Sequence, residues 1–258
     1  MLHVKFTRLT LTLFQNPEIT SISPEIGPKS GGSALTIKGN HLDIGSSARV
    51  EIGTEHCVII GKRRENEIIC RTTRAGGPKR VKVKLNVDKE EIMGDNIFYQ
   101  YVADPIITNI TPTCSLAAGG IKVTVSGTNL HSIQIAKIDV DMDNTDVVSS
   151  SIAGECNLKY NDGSVMVCPT PSVILKVGRD MATPIPIVFK LDENILVRNL
   201  NPAQVEESGP ASLNYYPDFT VDEWENGTTA WTWAGIKTSN DSSAYLRIYV
   251  SNHVLLFS

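Results

Sequence analysis

The chain has 258 residues, of which 41% are hydrophobic, and its 24 basic and 28 acidic side chains give a formal net charge of −4 at pH 7. This length predicts about two domains of ~100–200 residues, each with enough apolar residues for a core. An acidic chain with a pI near 5.8 has no overall basic face for nucleic acid, and the sequence has no run of 18 apolar residues that would predict a membrane span.

The first segment, residues 1–16, alternates apolar and polar side chains around Leu9, Leu11 and Leu13. A signal peptide instead needs a continuous apolar block of ~7–15 residues. We therefore interpret residues 1–16 as the last strand of a preceding module, with a signal peptide as the alternative. The first interpretation makes the chain part of a longer one.

The next segment, residues 17–42, recurs at residues 105–130 without a gap, always 88 positions later. In each copy, spaced isoleucines before a proline predict an edge strand, a glycine pair predicts a turn, and an alternating run predicts a half-buried strand. A step of 88 residues is too long for a solenoid repeat and suits an independent sandwich domain of ~100 residues. The shared positions are Pro17 and Pro105, Ile19 and Ile107, Ile22 and Ile110, Pro24 and Pro112, Gly31-Gly32 and Gly119-Gly120, Gly39 and Gly127, and Leu42 and Leu130.

The rest of the first module alternates short apolar runs with turn residues, and nothing in it has a helical period of useful length. The predicted strands are residues 48–53, 57–60, 67–72, 80–87 and 98–101. Only residues 102–104 separate the closing strand from the second copy of the repeat. So short a connection predicts two modules that bend little relative to each other.

The second module repeats this plan less regularly. Strands are predicted at residues 133–140, 185–191 and 213–216, with Asp162-Gly163 as the turn of a hairpin and a loop over 169–183. The pattern fades after Pro217. Residues 218–258 have neither the glycine pair nor a cysteine hairpin, and we interpret them as an atypical tail, with a truncated third module as the alternative. Within this tail, residues 245–257 are strand-like.

Four of the five cysteines follow the repeat. Cys57 and Cys70 lie 13 positions apart in the first module, and Cys156 and Cys168 lie 12 apart at an equivalent place in the second. Buried cytosolic thiols and a metal site are the alternatives, but neither explains one widely spaced pair per module, and zinc sites favour short Cys-x-x-Cys knuckles. We predict one disulfide in each module and an oxidising compartment. Cys114 is left over.

Three acceptor sequences for N-glycosylation agree with such a compartment. Asn109, Asn226 and Asn240 each stand two residues before a threonine or serine. We predict glycans at these asparagines, with a plain strand residue as the alternative for Asn109.

The combination of these motifs resembles a known family. The run PEITSISPEIGPKSGG followed by LTIKGNHL, the closing FYQY followed by DPII, and MVCPTP in the second copy are similar to IPT/TIG domains, which are immunoglobulin-like β-sandwiches. Their tandem order resembles the extracellular modules of the plexin family and of the related hepatocyte growth factor receptor. The resemblance implies IPT/TIG domains at residues 17–103 and 104–217. Ser115-Leu116 in place of Gly27-Pro28, and Cys114, depart from the pattern.

The resemblance also implies a function. Plexins hold semaphorins with an N-terminal propeller and signal to small GTPases inside the cell, in axon guidance among other processes, so these residues are expected to supply neither activity. We expect an extracellular stalk that spaces the ligand-binding head from the plasma membrane, or a secreted fragment of it. Its partners are then the neighbouring domains of the receptor, and semaphorin through a region outside these residues. A stalk of a growth factor receptor tyrosine kinase is the alternative.

Other classes of function fit the sequence less well. An intracellular TIG module of a transcription factor needs clustered basic residues, and Lys62-Arg63-Arg64 with Arg71 and Arg74 is the one candidate patch in an acidic chain. The five histidines are scattered, without a nucleophile or carboxylate arrangement of catalytic spacing. Asp139, Asp141 and Asp143 alternate as calcium ligands do, but an exposed polar loop is the favoured interpretation. We predict no catalysis, cofactor, metal or nucleic acid.

Overall fold

The computed structural model describes residues 16–144, 148–149, 154–159, 164–175, 183–201, 209–218, 247–250 and 253–256. Those residues form strands and two three-residue 3-10 helices, which confirms the predicted all-β class. Residues 1–15, the turn at Asp162-Gly163, and the acceptor residues Asn226 and Asn240 lie outside the described ranges.

The first module is one continuous sheet of eight strands in the order β1-β3-β6-β5-β4-β7-β8-β2. All neighbours are antiparallel except β2, which runs parallel to β8 at one edge. The strands are β1 Glu18–Ser23, β2 Ile26–Pro28, β3 Ala34–Asn40, β4 Ala48–Ile52, β5 Glu55–Ile59, β6 Glu67–Thr72, β7 Lys79–Val87 and β8 Glu90–Val102.

The second module divides the same plan into two main sheets, β10-β22-β18-β12-β14 with β19 added to β18, and β15-β16-β11-β9. Its elements are β9 Ile106–Thr111, β10 Cys114–Leu116, β11 Lys122–Thr128, η1 Leu130–Ser132, β12 Ala136–Val140, η2 Met142–Asn144, β13 Val148–Ser149, β14 Gly154–Glu155, β15 Asn157–Lys159, β16 Val165–Pro169, β17 Val173–Ile174, β18 Thr183–Leu191, β19 Ile195–Val197, β20 Asn199–Leu200, β21 Gly209–Pro210 and β22 Ser212–Tyr216. Strands β23 Arg247–Val250 and β24 His253–Leu256 form a separate hairpin.

The sequence repeat is also a repeat of structure, because β1, β2 and β3 have the same bounds as β9, β10 and β11 after a shift of 88. β1 and β9 each pair with the following long strand through a register shift at the same position. A Cβ atom on Gly39 would lie 1.9 Å from the carbonyl oxygen of Glu18, and one on Gly127 would lie 2.2 Å from that of Ile106. The repeated glycine is therefore required by the close approach of the edge strand.

Each module has its own hydrophobic core. In the first, the alternating runs of β3 and β7 bury Leu35, Ile37, Val83 and Leu85, as the period of two predicts. The core of the second module is a separate cluster, in which β18 buries Ile185, Ile187, Phe189 and Leu191. Two separate cores favour two independently packed units.

Three elements differ from the sequence-based expectation. The strand expected from Ile133 begins at Ala136, because Leu130–Ser132 forms a 3-10 turn first. The closing strand of the first module extends back to Glu90, and its added half is only partly buried, which hides the alternation. A two-residue strand, β17, interrupts the loop expected after Pro169.

Candidate functional site at the junction of the two modules

The connection between the modules is bound to the first module at Val102 and Asp104. Strand β8 ends at Val102 and β9 begins at Ile106. Between them, Asp104 accepts the Ser30 N–H at 2.9 Å and the Ser30 hydroxyl at 2.7 Å. The Lys29 N–H donates to the Val102 carbonyl oxygen at 2.8 Å. These bonds hold the three-residue connection in one path.

The carboxylate of Asp192, which directly follows β18, bonds to both modules. Its Oδ1 accepts the N–H groups of Gln134 and Ile135 at 2.8 and 3.0 Å, within the second module. Its Oδ2 accepts the hydroxyl of Ser33 in the first module at 2.5 Å. Ser33 is 1% exposed and Asp192 is half-buried, so this charge-assisted bond is partly shielded from solvent.

Other contacts surround this carboxylate. The Gln134 side-chain amide donates to the Ala34 carbonyl oxygen at 2.8 Å, and the Asn194 amide donates to that of Ser30 at 3.1 Å. The Arg71 guanidinium of β6 forms an ion pair with Glu193. We name the loop residues 132–135 with 192–194 the Asp192 corner. It contacts the first module through backbone, amide and charged groups together.

Gly32 faces the Asp192 corner and has little room for a side chain. Its φ of +93° is in the left-handed region, and a Cβ atom there would lie 3.0 Å from the Asn194 side chain and backbone. Gly120, the equivalent residue of the second module, has a φ of +78°, and no atom of the described residues lies within 4 Å of a Cβ placed there. The first glycine pair thus serves both a turn and the junction.

The two modules do not seal completely against each other. An open cleft of about 340 Å³ lies between β1–β3 of the first module and the 3-10 turn of the second. Pro24, Ala34 and Thr36 line one wall, and His131 and Ile133 line the other. The junction therefore depends on a limited set of polar contacts.

Beneath the junction, Tyr99 of β8 is completely buried, and this burial raises its pKa to about 12. The Ser33 and Thr72 hydroxyls lower the pKa in part, although no group of the described residues reaches the Tyr99 oxygen with hydrogen-bond geometry. A Cβ atom on Gly27 would lie 1.8 Å from that oxygen. The aromatic hydroxyl therefore accounts for glycine at position 27.

The second module has different residues at the positions of Gly27 and Tyr99. Strand β10 places Ser115 opposite Tyr215, just as β2 places Gly27 opposite Tyr101. Leu213, two residues before Tyr215 on β22, takes the place of Tyr99 and has no hydroxyl group. Ser115, a departure from the sequence motif, is therefore explained by the smaller neighbour.

The predicted cysteine pairs are joined in the structure. Cys57 of β5 is bonded to Cys70 of β6, and Cys156 is bonded to Cys168 of β16. All four sulfur-bearing residues are buried. Cys114 is a free, half-buried thiol on β10. Each disulfide is confined to its own module.

The candidate ion sites are occupied by the protein's own side chains. Asp139 pairs with Lys190 at 2.7 Å, while Asp141, at 3.0 Å, and Asp143 both pair with Arg198. In the described part of the chain no group of three or more His, Cys, Asp and Glu residues is arranged to hold a metal ion. The three aspartates thus form ion pairs with Lys190 and Arg198.

The candidate basic patch is also engaged internally. Arg63 donates to the carbonyl oxygens of Ile44 and Gly45 at 2.8 Å each. Arg64 pairs with Glu67 at 2.9 Å, and Arg71 belongs to the junction. Arg63, Arg64 and Arg71 therefore each bond to a different part of the protein.

Asn109 is exposed on β9, at an edge of its sheet. Its side-chain amide donates to the Thr111 hydroxyl at 3.1 Å, so the two functional groups of the acceptor sequence lie together. Both helices among the described residues have three residues, and neither is long enough to cross a membrane.

The junction was not predicted from the sequence beyond the shortness of the connection. Ser33 and Asp192 are 159 positions apart. Ser33 lies within the repeated segment 17–42, but the second copy has Ile121 in its place, and Asp192 lies outside both copies. An available signal was the equivalence of Asp88 and Asp192, each of which directly follows a long alternating strand.

Comparisons with known proteins agree with this architecture. The IPT/TIG domain family model matches residues 17–101 and 105–197. Plexin A3 of Danio rerio is 40% identical over 162 residues, covering 62% of this chain and 8% of that protein. Plexin-A3 of Homo sapiens is 30% identical over 209 residues, covering 80% of this chain and 10% of that protein.

Among solved structures, the full extracellular region of Plexin A4 matches with a TM-score of 0.67 and 23% identity. The match covers 94% of this chain and 20% of that one, and at this identity it shows the fold alone. The chain spans about a tenth of the length of the curated relatives it matches.

Proposed function

The chain belongs to the IPT/TIG domain family in the tandem plexin arrangement, and from this premise we propose that it is a stalk segment of a plexin-like semaphorin receptor. Its work is mechanical: it spaces the ligand-binding head from the plasma membrane, on the extracellular side, without catalysis. Its partners are the neighbouring domains of the receptor. Semaphorin contacts belong to a part of the receptor outside these residues.

The observation that carries this proposal is the bridged junction. A spacer transmits position only if its modules keep a fixed orientation. Here Asp192 bonds Ser33 of the first module while bonding Gln134 and Ile135 of the second. The connection is fixed as well, because Asp104 accepts two bonds from Ser30. Hydrogen bonds to a charged group contribute roughly 1.5–3 kcal/mol each, enough to favour one orientation.

Residual dipolar couplings of the secreted chain test this function. Backbone N–H couplings from the two modules should fit one common alignment tensor, because the modules move as one body. Gln134→Ala and Arg71→Ala together should make the two tensors diverge. Arg64→Ala, which breaks an ion pair inside the first module, is the matched control and should leave them equal. Unequal tensors in the unaltered chain would remove the basis of the stalk function.

We further propose that this segment matures in an oxidising, glycosylating compartment. Two buried disulfides and the exposed acceptor Asn109 support this, and Asn226 and Asn240 are proposed as further acceptors. Asn109→Gln should remove one glycan from the secreted chain, seen as a mass loss that disappears when both chains are compared after glycosidase treatment. If Asn109 from secreted protein carries no glycan, this part of the proposal is wrong.

A further inference from the structure

The first module has a corner built like the one that docks the second module. Asp88 follows β7 as Asp192 follows β18. Its Oδ1 accepts the N–H groups of Ser46 and Ser47 at 3.1 and 2.8 Å. Ser46 and Ser47 stand 88 positions before Gln134 and Ile135, whose N–H groups bond to Asp192. We name residues 44–47 with 88–89 the Asp88 corner.

We propose that the Asp88 corner is the docking surface for a preceding β-sandwich module of the same receptor, which presents a serine or threonine hydroxyl and, beside it, a carboxylate. This proposal rests on the proposed stalk function. It extends that function by naming the surface of this chain that receives the next module on the side of the ligand-binding head.

The acceptor atoms of Asp88 indicate that the neighbouring module presents a hydroxyl group. In the docked corner, Asp192 Oδ1 caps the loop and Oδ2 accepts Ser33 of the neighbouring module. Asp88 caps its loop mainly through Oδ1, and within the described part of the chain its Oδ2 accepts only the shared Ser46 N–H, at 3.0 Å. In Asp192, Oδ2 accepts a bond from the neighbouring module. In Asp88, the same oxygen therefore has a free acceptor position.

A reversal of charge between the two corners indicates that the neighbouring module also presents a carboxylate. The residue after Asp192 is Glu193, and it pairs with Arg71 of the neighbouring module. The residue after Asp88 is Lys89, which is exposed at the same corner. A neighbour docked in the same manner then needs an acidic residue where the first module has Arg71. Arg63 bonds to the carbonyl oxygens of Ile44 and Gly45, so it holds the loop of this corner in place.

The same comparison disfavours a second copy of this chain as the occupant. In a second copy, the outer face of the second module is the surface that would meet the Asp88 corner. By the repeat and the pairing register, Ile121 and Pro169 stand there in the places of Ser33 and Arg71. Neither residue supplies a side-chain donor or a charge. A head-to-tail copy therefore lacks both groups that the Asp88 corner requires.

The test compares the 258-residue chain with the longer receptor ectodomain that extends upstream of Met1. Lysine amines are acetylated in both proteins and quantified by mass spectrometry, with Lys82, on the outer face of β7, as the matched control. In the longer ectodomain, labelling of Lys89 should fall while that of Lys82 stays the same. A zero-length carbodiimide reagent should also join Lys89 to an aspartate or glutamate upstream of Met1. Lys190 and Asp139, 2.7 Å apart, are the positive control for this reaction.

The outcomes separate the two proposals. If Lys190 joins Asp139 but Lys89 joins no upstream residue and is acetylated equally in both proteins, the docking surface is refuted while the stalk function stands. A link from Lys89 to a second copy of the chain also overturns the proposal. If the two modules of this chain show separate alignment tensors, the stalk function itself fails, whatever Lys89 does.

Discussion

Replacing Gly32 with alanine tests the junction directly, because the chain contains a matched control. Gly32→Ala and Gly120→Ala both place a side chain on a backbone of positive φ. Only the first meets the other module, where its Cβ would lie 3.0 Å from Asn194. The difference between the two variants therefore isolates the effect of the contact from that of the turn.

The magnitudes follow from the two geometries. Alanine in the left-handed region costs roughly 1–2 kcal/mol, so each variant should lower the free energy of unfolding of its own module by about that amount. In Gly32→Ala, Asn194 must also move, and the loss of its hydrogen bond to Ser30 costs about 0.5–1.5 kcal/mol. A loss of about 1 kcal/mol raises the population with an opened junction about fivefold.

The stability of the two variants is measured by urea unfolding, and the relative orientation of their modules by residual dipolar couplings. Both variants should unfold at lower urea concentration, but only Gly32→Ala should give the two modules different alignment tensors. If Gly32→Ala keeps one common tensor, the packing of Asn194 against the turn does not maintain the orientation. If Gly120→Ala separates the tensors too, the effect arises from the turns and not from the contact.

Three further predictions concern stability. Gly27→Ala should destabilise the first module by about 1–3 kcal/mol, since its Cβ would overlap the Tyr99 hydroxyl, and adding Tyr99→Phe should restore part of the loss in urea unfolding; no recovery in the double variant would contradict this cause. Replacing both Cys57 and Cys70 with alanine opens a loop with a sequence separation of 13 and should cost roughly 3 kcal/mol by the chain-entropy relation, so a midpoint equal to that of the oxidised chain would count against it. Hydrogen bonds from the Ser46 and Ser47 N–H groups and hydroxyls hold the pKa of Asp88 at about 2, below its ordinary 3.8. Because the pKa is lowered by folding, Asp88 stabilises the fold above its unfolded pKa of about 3.9, and this contribution is lost as the pH falls from about 4 towards 2. Carbon-13 titration of the Asp88 carboxyl group measures that pKa directly, and a value near 3.8 would refute the capping role.

The strands with one buried face could be predicted from the sequence. Strand β7 buries Val83, Leu85 and Val87, and Lys82 and Lys84 lie on the other face, so its period of two is plain in the sequence. The first half of β8 could not be found in this way. Its Glu90 and Glu91 are exposed and its Ile92 is only half buried, so no alternation sets it apart from a loop.

The junction could be predicted only as a short connection. Ser33 has no feature in the sequence that points to Asp192, because their bond depends on how two folded modules meet. The disulfides were easier, since each pair lies within one hairpin and recurs in both modules. Local pairing leaves a pattern in one stretch of chain, whereas contacts between modules depend on residues far apart.

The shared register of β1 on β3 and of β9 on β11 has a consequence for folding. The two edge strands have the same bounds after the shift of 88, and each carries its register shift at the same place. During synthesis β1 meets β3 before β11 has been made, and domains generally fold in that N-terminal order. In refolding from denaturant both partners are present at once, and exchange of strands between modules is a characteristic error of repeat proteins. The feature that makes the two modules alike thus makes vectorial synthesis the safer route to the native pairing.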